Sequence, residues 1–204
     1  MLAGPRYPSH RGRSPWPGSG IVFVIGGRKE STQKIARSMA KRYGAGKDDC
    51  FSYKFPFEGF PDVSESCFKS CDSRTKLMIC GHGHKLGMAS AGSDDYDYEA
   101  RHIAGILQGT GMKQVGLISF KACDIGKKEF LENLLRALKG TVDVGYVIGY
   151  KGGVNLDSGG KMRSLLGFKA GTKIVKGTLH VPIPSKRFLK KAEEYPDDPA
   201  SDDD

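Results

Sequence analysis

Four short apolar runs, IVFVI (21–25), LMIC (77–80), VGLISF (115–120) and VDVGYVIGY (142–150), punctuate this chain, and the segments between them carry residues at helical spacing. Runs of this length without polar alternation predict strands covered on both faces. Strands alternating with helices predict a mostly parallel sheet with right-handed crossovers. The fold class that follows is α/β, a three-layer sandwich whose central sheet is flanked by helices.

The helical segments support that order. STQKIARSMAKRY (31–43) places Ser31 or Thr32 at an N-cap and Ile35, Met39 and Tyr43 on one face. A second helix is predicted over 97–108, capped by Asp97, with Ile103, Ile106 and Leu107 inward. A third lies in IGKKEFLENLLRALKG (125–140), where Phe130, Leu134, Leu135 and Leu138 pack and Gly140 ends the helix. A further strand is predicted in CFSYKF (50–55), and 56–74 reads as a loop or short helix. GGVNLDSGG, TKIVKG and TLHVPIP read as hairpins or short strands outside the alternation, a small β-hairpin extension near the C-terminus.

The 204 residues, 38% apolar, suffice for one buried domain, expected over 21–185. Residues 1–20, rich in Pro, Gly, Ser and Arg, read as a disordered leader, and 186–204 as a basic and then acidic disordered tail. No run approaches the ~18 apolar residues of a membrane span and no signal-peptide core is present, which predicts a cytosolic location, in the cell that makes the chain or in a host cell. The net charge of +9 includes the acidic end EEYPDDPASDDD, so the body is more basic than the total. An anionic partner fits that body, whether inositol phosphate, anionic membrane or nucleic acid, the last not favoured. Five cysteines, Cys50, Cys67, Cys71, Cys80 and Cys123, are an odd number at spacings that match no disulfide framework, so reduced thiols are expected, with Cys67–Cys71 the one alternative pairing.

Two apolar runs end in a reactive side chain. The run Leu77–Cys80 stops at Gly81-His82-Gly83, where the chain must turn, and Val115–Phe120 leads to Ala122-Cys123-Asp124 ahead of a helix. Parallel strands present their carboxyl ends along one edge, where α/β folds build their sites. Adjacent strands would therefore bring imidazole and thiol together. A thiol is mostly protonated at neutral pH, and a neighbouring histidine can take its proton or hold it as thiolate. Other readings of the same residues are weaker. Cys80, His82 and His84 share i, i+2, i+4 spacing and could bind zinc with Cys67 or Cys71, but Gly81 and Gly83 break the strand this needs, and no metal is expected. Gly26-Gly27 before a helix could hold phosphate, but matches no known fingerprint and reads as a plain turn. His102 and His180 have no partner at useful spacing.

The strand ending in His82-Gly83 and the later one ending in Ala122-Cys123 resemble the clan of cysteine peptidases that includes caspases, gingipains and clostripain. Within that clan, the Gly81-His82-Gly83 turn and the helix and Val142-Asp143-Val144 strand that follow Cys123 look most like the autoprocessing cysteine protease domains of RTX-type and large clostridial toxins. The resemblance covers about 21–165. It implies a caspase-like fold and a cysteine endopeptidase, a toxin or effector domain acting on a protein or peptide, its own chain included. Cys123 would be the nucleophile, His82 the general base and acid, and the backbone N–H groups of Gly83 and Cys123 the oxyanion hole, each such donor being worth about 3–4 kcal/mol. It makes no triad acid of Asp124 or Asp143. It also implies activation by inositol hexakisphosphate at a basic surface away from the catalytic edge, with Lys151, Lys161, Arg163, Lys173 and Lys176 as candidates and Lys169, Lys186 and Arg187 beside them. The chain has Ala122-Cys123 where the toxin domains usually have Gly-Cys, closer to the caspase form, and a toxin-like preference for leucine before the cut does not follow. The alternative from another class is a catalytically silent caspase-like module that binds an anionic ligand or a protein.

Overall fold

The computed structural model describes residues 20–26, 29–89, 97–157, 161–165, 171–181 and 192–193. Its centre is a seven-stranded sheet. In chain order its members are β1 (Gly20–Ile25), β2 (Cys50–Tyr53), β3 (Lys76–Cys80), β7 (Gln114–Lys121), β8 (Asp143–Tyr150), β11 (Thr172–Lys176) and β12 (Ala192–Glu193). Across the sheet they run β12-β11-β8-β7-β3-β1-β2. All neighbours are parallel except β8 and β11. Two small antiparallel units stand outside it: β4 (His82–His84), β5 (Gly87–Ala89) and β6 (Asp97–Tyr98) in one, β9 (Val154–Leu156) and β10 (Met162–Ser164) in the other.

The apolar runs form the middle of the sheet because both of its faces are covered. Val22, Val24, Met78 and Cys80 point to one face, where α1 (Glu30–Tyr43) lays Ala36 and Met39 on them. Phe23, Ile25, Leu77, Ile79, Ile118 and Phe120 point to the other, under α2 (Ala100–Gly109) and α3 (Phe130–Leu138). Leu131, Leu134 and Leu138 of α3 are wholly buried, each contributing about 1.5–3 kcal/mol. The Phe120 and Phe130 rings meet edge to face at 5.4 Å. Gly44 closes α1 in the left-handed conformation (φ 66°), its N–H donating to the carbonyl of Ala40.

Several local expectations are corrected. α1 starts at Glu30 with Lys29 at the N-cap, and neither Ser31 nor Thr32 caps it. α2 starts at Ala100 behind Glu99, and Asp97 belongs to β6 instead. The strand drawn over 50–55 ends at Tyr53, because Lys54 turns into the left-handed region (φ 64°) and donates its N–H to Asp62 Oδ1 at 2.9 Å. The C-terminal region does contain a hairpin, β9–β10, but TKIVKG becomes β11 and joins the main sheet, since Ile174 and Val175 are both buried when paired with β8. Two residues of the stretch read as a disordered tail, Ala192 and Glu193, pair with β11. The leader to residue 19, Gly27, Lys169, Lys186 and Arg187 lie outside the described residues. All five cysteines are free thiols, including Cys67 and Cys71. Among the described helices none is long and apolar enough to cross a membrane.

Candidate active site

The parallel pairing of β3 with β7 settles where the reactive residues stand. Cys80 is opposite Lys121, the last pair of the ladder, and His82 and Cys123 each lie two residues beyond it. Both therefore leave the carboxyl edge of neighbouring central strands at the same level, the position at which open α/β sheets assemble sites. After the bend at Gly81 the chain starts β4, which turns His82-Gly83-His84 across that edge.

Gly83 is where the two segments touch. A Cβ on Gly83 would fall 2.4 Å from the carbonyl oxygen and 3.1 Å from the nitrogen of Cys123, and 2.7 Å from Cβ of Ala122. Only glycine allows this approach, so Gly81-His82-Gly83 is required by packing against Ala122-Cys123 as well as by a turn. Immediately after the cysteine, Asp124 takes a positive φ of 54°, and Lys127 sits 3.4 Å from its carboxylate. A non-glycine residue held there is an uncommon and costly conformation. It directs the chain from β7 back toward β8, where the Asp124 N–H donates to Gly152 and that of Gly126 to Tyr150.

The two side chains are half-buried, and their hydrogen bonds go in different directions. His82 Nε2 lies 3.5 Å from Ser31 Oγ, at the start of α1. Burial, and then the charge of Lys29, lower the His82 pKa below the ordinary 6.5, so the imidazole is neutral at neutral pH. The Cys123 sulfur accepts the N–H of Val154 at 3.3 Å and donates to the Val154 carbonyl at 3.5 Å. The hairpin β9–β10 thus grips the thiol, and no hydrogen bond joins Cys123 to His82 in this arrangement. His84 Nδ1 accepts the N–H of Leu86 at the β4–β5 turn. A cleft of about 820 Å³ flanks the pair, lined by Lys85 and Leu86 on one side and by Lys128, Glu129, Phe130 and Asn133 on the other.

The cation candidates do not form one site. Lys173 extends to the α3 face, pairing with the buried Glu132 and donating to the carbonyl of Lys128 at 3.2 Å. Lys151 and Lys176 stand at opposite ends of the β8–β11 ladder, near Tyr150 and Tyr146. Lys161 and Arg163 do line a common cavity of about 280 Å³, shared with Arg42 and Tyr43 of α1 and with Lys121 and Tyr150 at the ends of β7 and β8. Asp157 bridges to Arg163 Nε at 3.1 Å. Two lysines missed in the sequence lie in this region, Lys76 and Lys121, each 8% exposed. Burial, and then Lys76 and Arg42, push the Lys121 pKa down to about 8; burial and then Arg42 do the same to Lys76. Their ammonium groups lie 5.7 Å from the Tyr150 ring and 4.1 Å from the Tyr43 ring, respectively. The available signal was the alternation Leu117-Ser119-Lys121, which aims the lysine at the α1 face of a strand covered on both sides.

The described residues hold no group of three or more metal-ligating side chains. Cys80 is packed into the α1-face core, its thiol pushed up to about 12 by burial. No protein-family model and no curated protein matches the chain. Among solved structures it is similar to a secreted C11 cysteine protease from Bacteroides thetaiotaomicron, determined with an irreversible peptide inhibitor, at a TM-score of 0.38 and 14% identity. The alignment covers 66% of this chain and 49% of that one, so the chain spans about half the length of the protease.

Proposed function

We propose that the chain is a cysteine endopeptidase domain in which Cys123 is the nucleophile and His82 the proton carrier. The observation that carries this reading is the β3–β7 register, which delivers both residues to one level of one sheet edge with Gly83 packed on the cysteine backbone. A neutral His82 accepts the thiol proton as sulfur attacks the scissile carbonyl. Gly83 and Cys123 N–H groups receive the oxyanion. His82 then protonates the leaving amine, and a thioester joins Cys123 to the acyl half of the substrate. Water attacks the thioester with His82 as base, releasing the acid and restoring the thiol. The cleft beside Lys85, Leu86 and Phe130 takes the peptide, which can be a segment of the same chain.

Attack requires that Val154 release the sulfur, and the hairpin that holds Val154 also carries Lys161 and Arg163. A polyanion such as inositol hexakisphosphate, bound between these residues and Lys121, draws on β10 and frees the thiol held by β9. Incubation with a thiol-directed peptide inhibitor tests the reading. Labelling of the wild type, lost in Cys123→Ala and in His82→Ala, is expected; labelling retained in Cys123→Ala overturns the assignment. The grip of Val154 on Cys123 favours one second reading, a silent module that binds the anion without acylation. Thermal stabilisation by the hexakisphosphate without labelling under any condition selects it.

A further inference from the structure

The basic cavity has a candidate occupant in the chain itself. Residues 194–204, EYPDDPASDDD, carry six carboxylates and no cation. The cavity gathers Lys121, Lys161, Arg163 and Arg42, with the ammonium of Lys76 behind Tyr43 and with Asp157 as the carboxylate bound to Arg163. Lys76 and Lys121 are almost fully buried, and among the described residues neither forms a salt bridge. Taking such a charge out of water costs several kcal/mol unless an opposite charge is brought to it.

The sheet places the acidic segment within reach. β12 brings the chain to the outer edge at Glu193, and eleven residues follow to Asp204. Three strand spacings separate β12 from β7, about 14 Å. Eleven extended residues reach about 36 Å, ample even with a turn. On the way, the α1 face of β8 and β11 bears the small cluster of Leu117, Tyr146, Ile174 and Val181, while α1 itself covers β1 and β3.

We propose that the acidic segment 194–204 folds back over β11 and β8 and occupies the cavity between Lys121 and the β9–β10 hairpin as an internal anion. The segment thereby competes with any external polyanion for that cavity and sets the concentration at which one binds. The proposal shares the cavity with the activator reading above but not its peptidase chemistry.

Carbodiimide coupling of the wild-type protein at low ionic strength and low concentration, followed by peptide mass spectrometry, tests occupancy without a ligand. Amide links from Asp197, Asp198 or Asp202–Asp204 to Lys161 or Lys121 are expected, within one molecule in a mixture of light and heavy isotope-labelled protein, and lost at 0.5 M salt as screening predicts. Links scattered over remote lysines such as Lys34, Lys47 and Lys139, links between light and heavy copies, or no links overturn the proposal. The second arm measures inositol hexakisphosphate binding to the wild type and to a variant with Glu194→Gln and all five tail aspartates replaced by asparagine. The neutral-tail variant should bind at least threefold tighter at low salt. Equal affinity overturns competition. Binding to neither form sinks the activator reading instead and leaves the cross-links to decide tail occupancy.

Discussion

Lys121→Met, made in the neutral-tail background so that no internal anion offsets the charge, should stabilise the protein at pH 7. The wild-type ammonium is held where burial, Lys76 and Arg42 lower its pKa from the ordinary 10.5 to about 8. At about 1.4 kcal/mol per pH unit, keeping it charged in the fold costs about 3 kcal/mol. Contact with the Tyr150 ring at 5.7 Å offsets about 1 kcal/mol of this, leaving a net gain of about 2 kcal/mol for methionine, which fills a similar length without charge. The sign follows from proton linkage. Between pH 8 and 10.5 the unfolded chain retains a proton that the folded chain has released, so the stability of the lysine form rises with pH through this window and its deficit is complete below pH 8. Guanidinium unfolding at pH 7 and pH 10 measures it: the methionine variant should lead by about 2 kcal/mol at pH 7, with an unchanged slope, and by under about 1 kcal/mol at pH 10. A difference between parent and variant that does not change with pH, or a variant less stable at pH 7, refutes the reasoning. With the acidic tail restored, the gain at pH 7 should shrink.

Gly83→Ala puts a methyl group 2.4 Å from the Cys123 carbonyl oxygen, so β4 must move; inhibitor labelling should fall by at least tenfold, with about 1–3 kcal/mol lost in denaturant unfolding. Lys173→Met leaves Glu132 buried beside α3 and should cost about 3–5 kcal/mol, most of it recovered when Glu132→Leu is added. Because burial and Lys29 lower the His82 pKa, the labelling rate of Cys123 should hold as pH falls to 6.5 and decline only below it; an acid limb centred above 6.5 contradicts the neutral-base role. Replacing Val154 by proline removes the N–H that the sulfur accepts, and should raise basal labelling in the absence of any polyanion; unchanged labelling means that the hairpin does not restrain the thiol.

The central strands were legible because a strand covered on both faces has to be apolar throughout, and β1, β3 and the inner part of β7 meet that condition residue by residue. The helix starts were not. Ser31 and Asp97 are good capping residues, yet the chain enters α1 and α2 one to three residues away, where the packing of Ala36 and Ile103 sets the start. The site was legible in part. His82 and Cys123 follow from strand ends, whereas the hold of Val154 on the sulfur joins residues 31 positions apart and leaves no mark in either segment.

Local pattern thus determined the α/β class, the parallel order of the central strands and the strand ends at which a histidine and a cysteine stand. Tertiary structure alone decided the β3–β7 register that puts them level, the addition of β11 as the antiparallel strand, and the gathering of Lys76, Lys121, Lys161 and Arg163 from four strands or turns. The division has a physical cause. Hydrophobic periodicity is written within each segment, but which segment lies beside which depends on the burial gained when distant surfaces meet, and a charge such as Lys121 enters the interior because its neighbours in the strand are taken there.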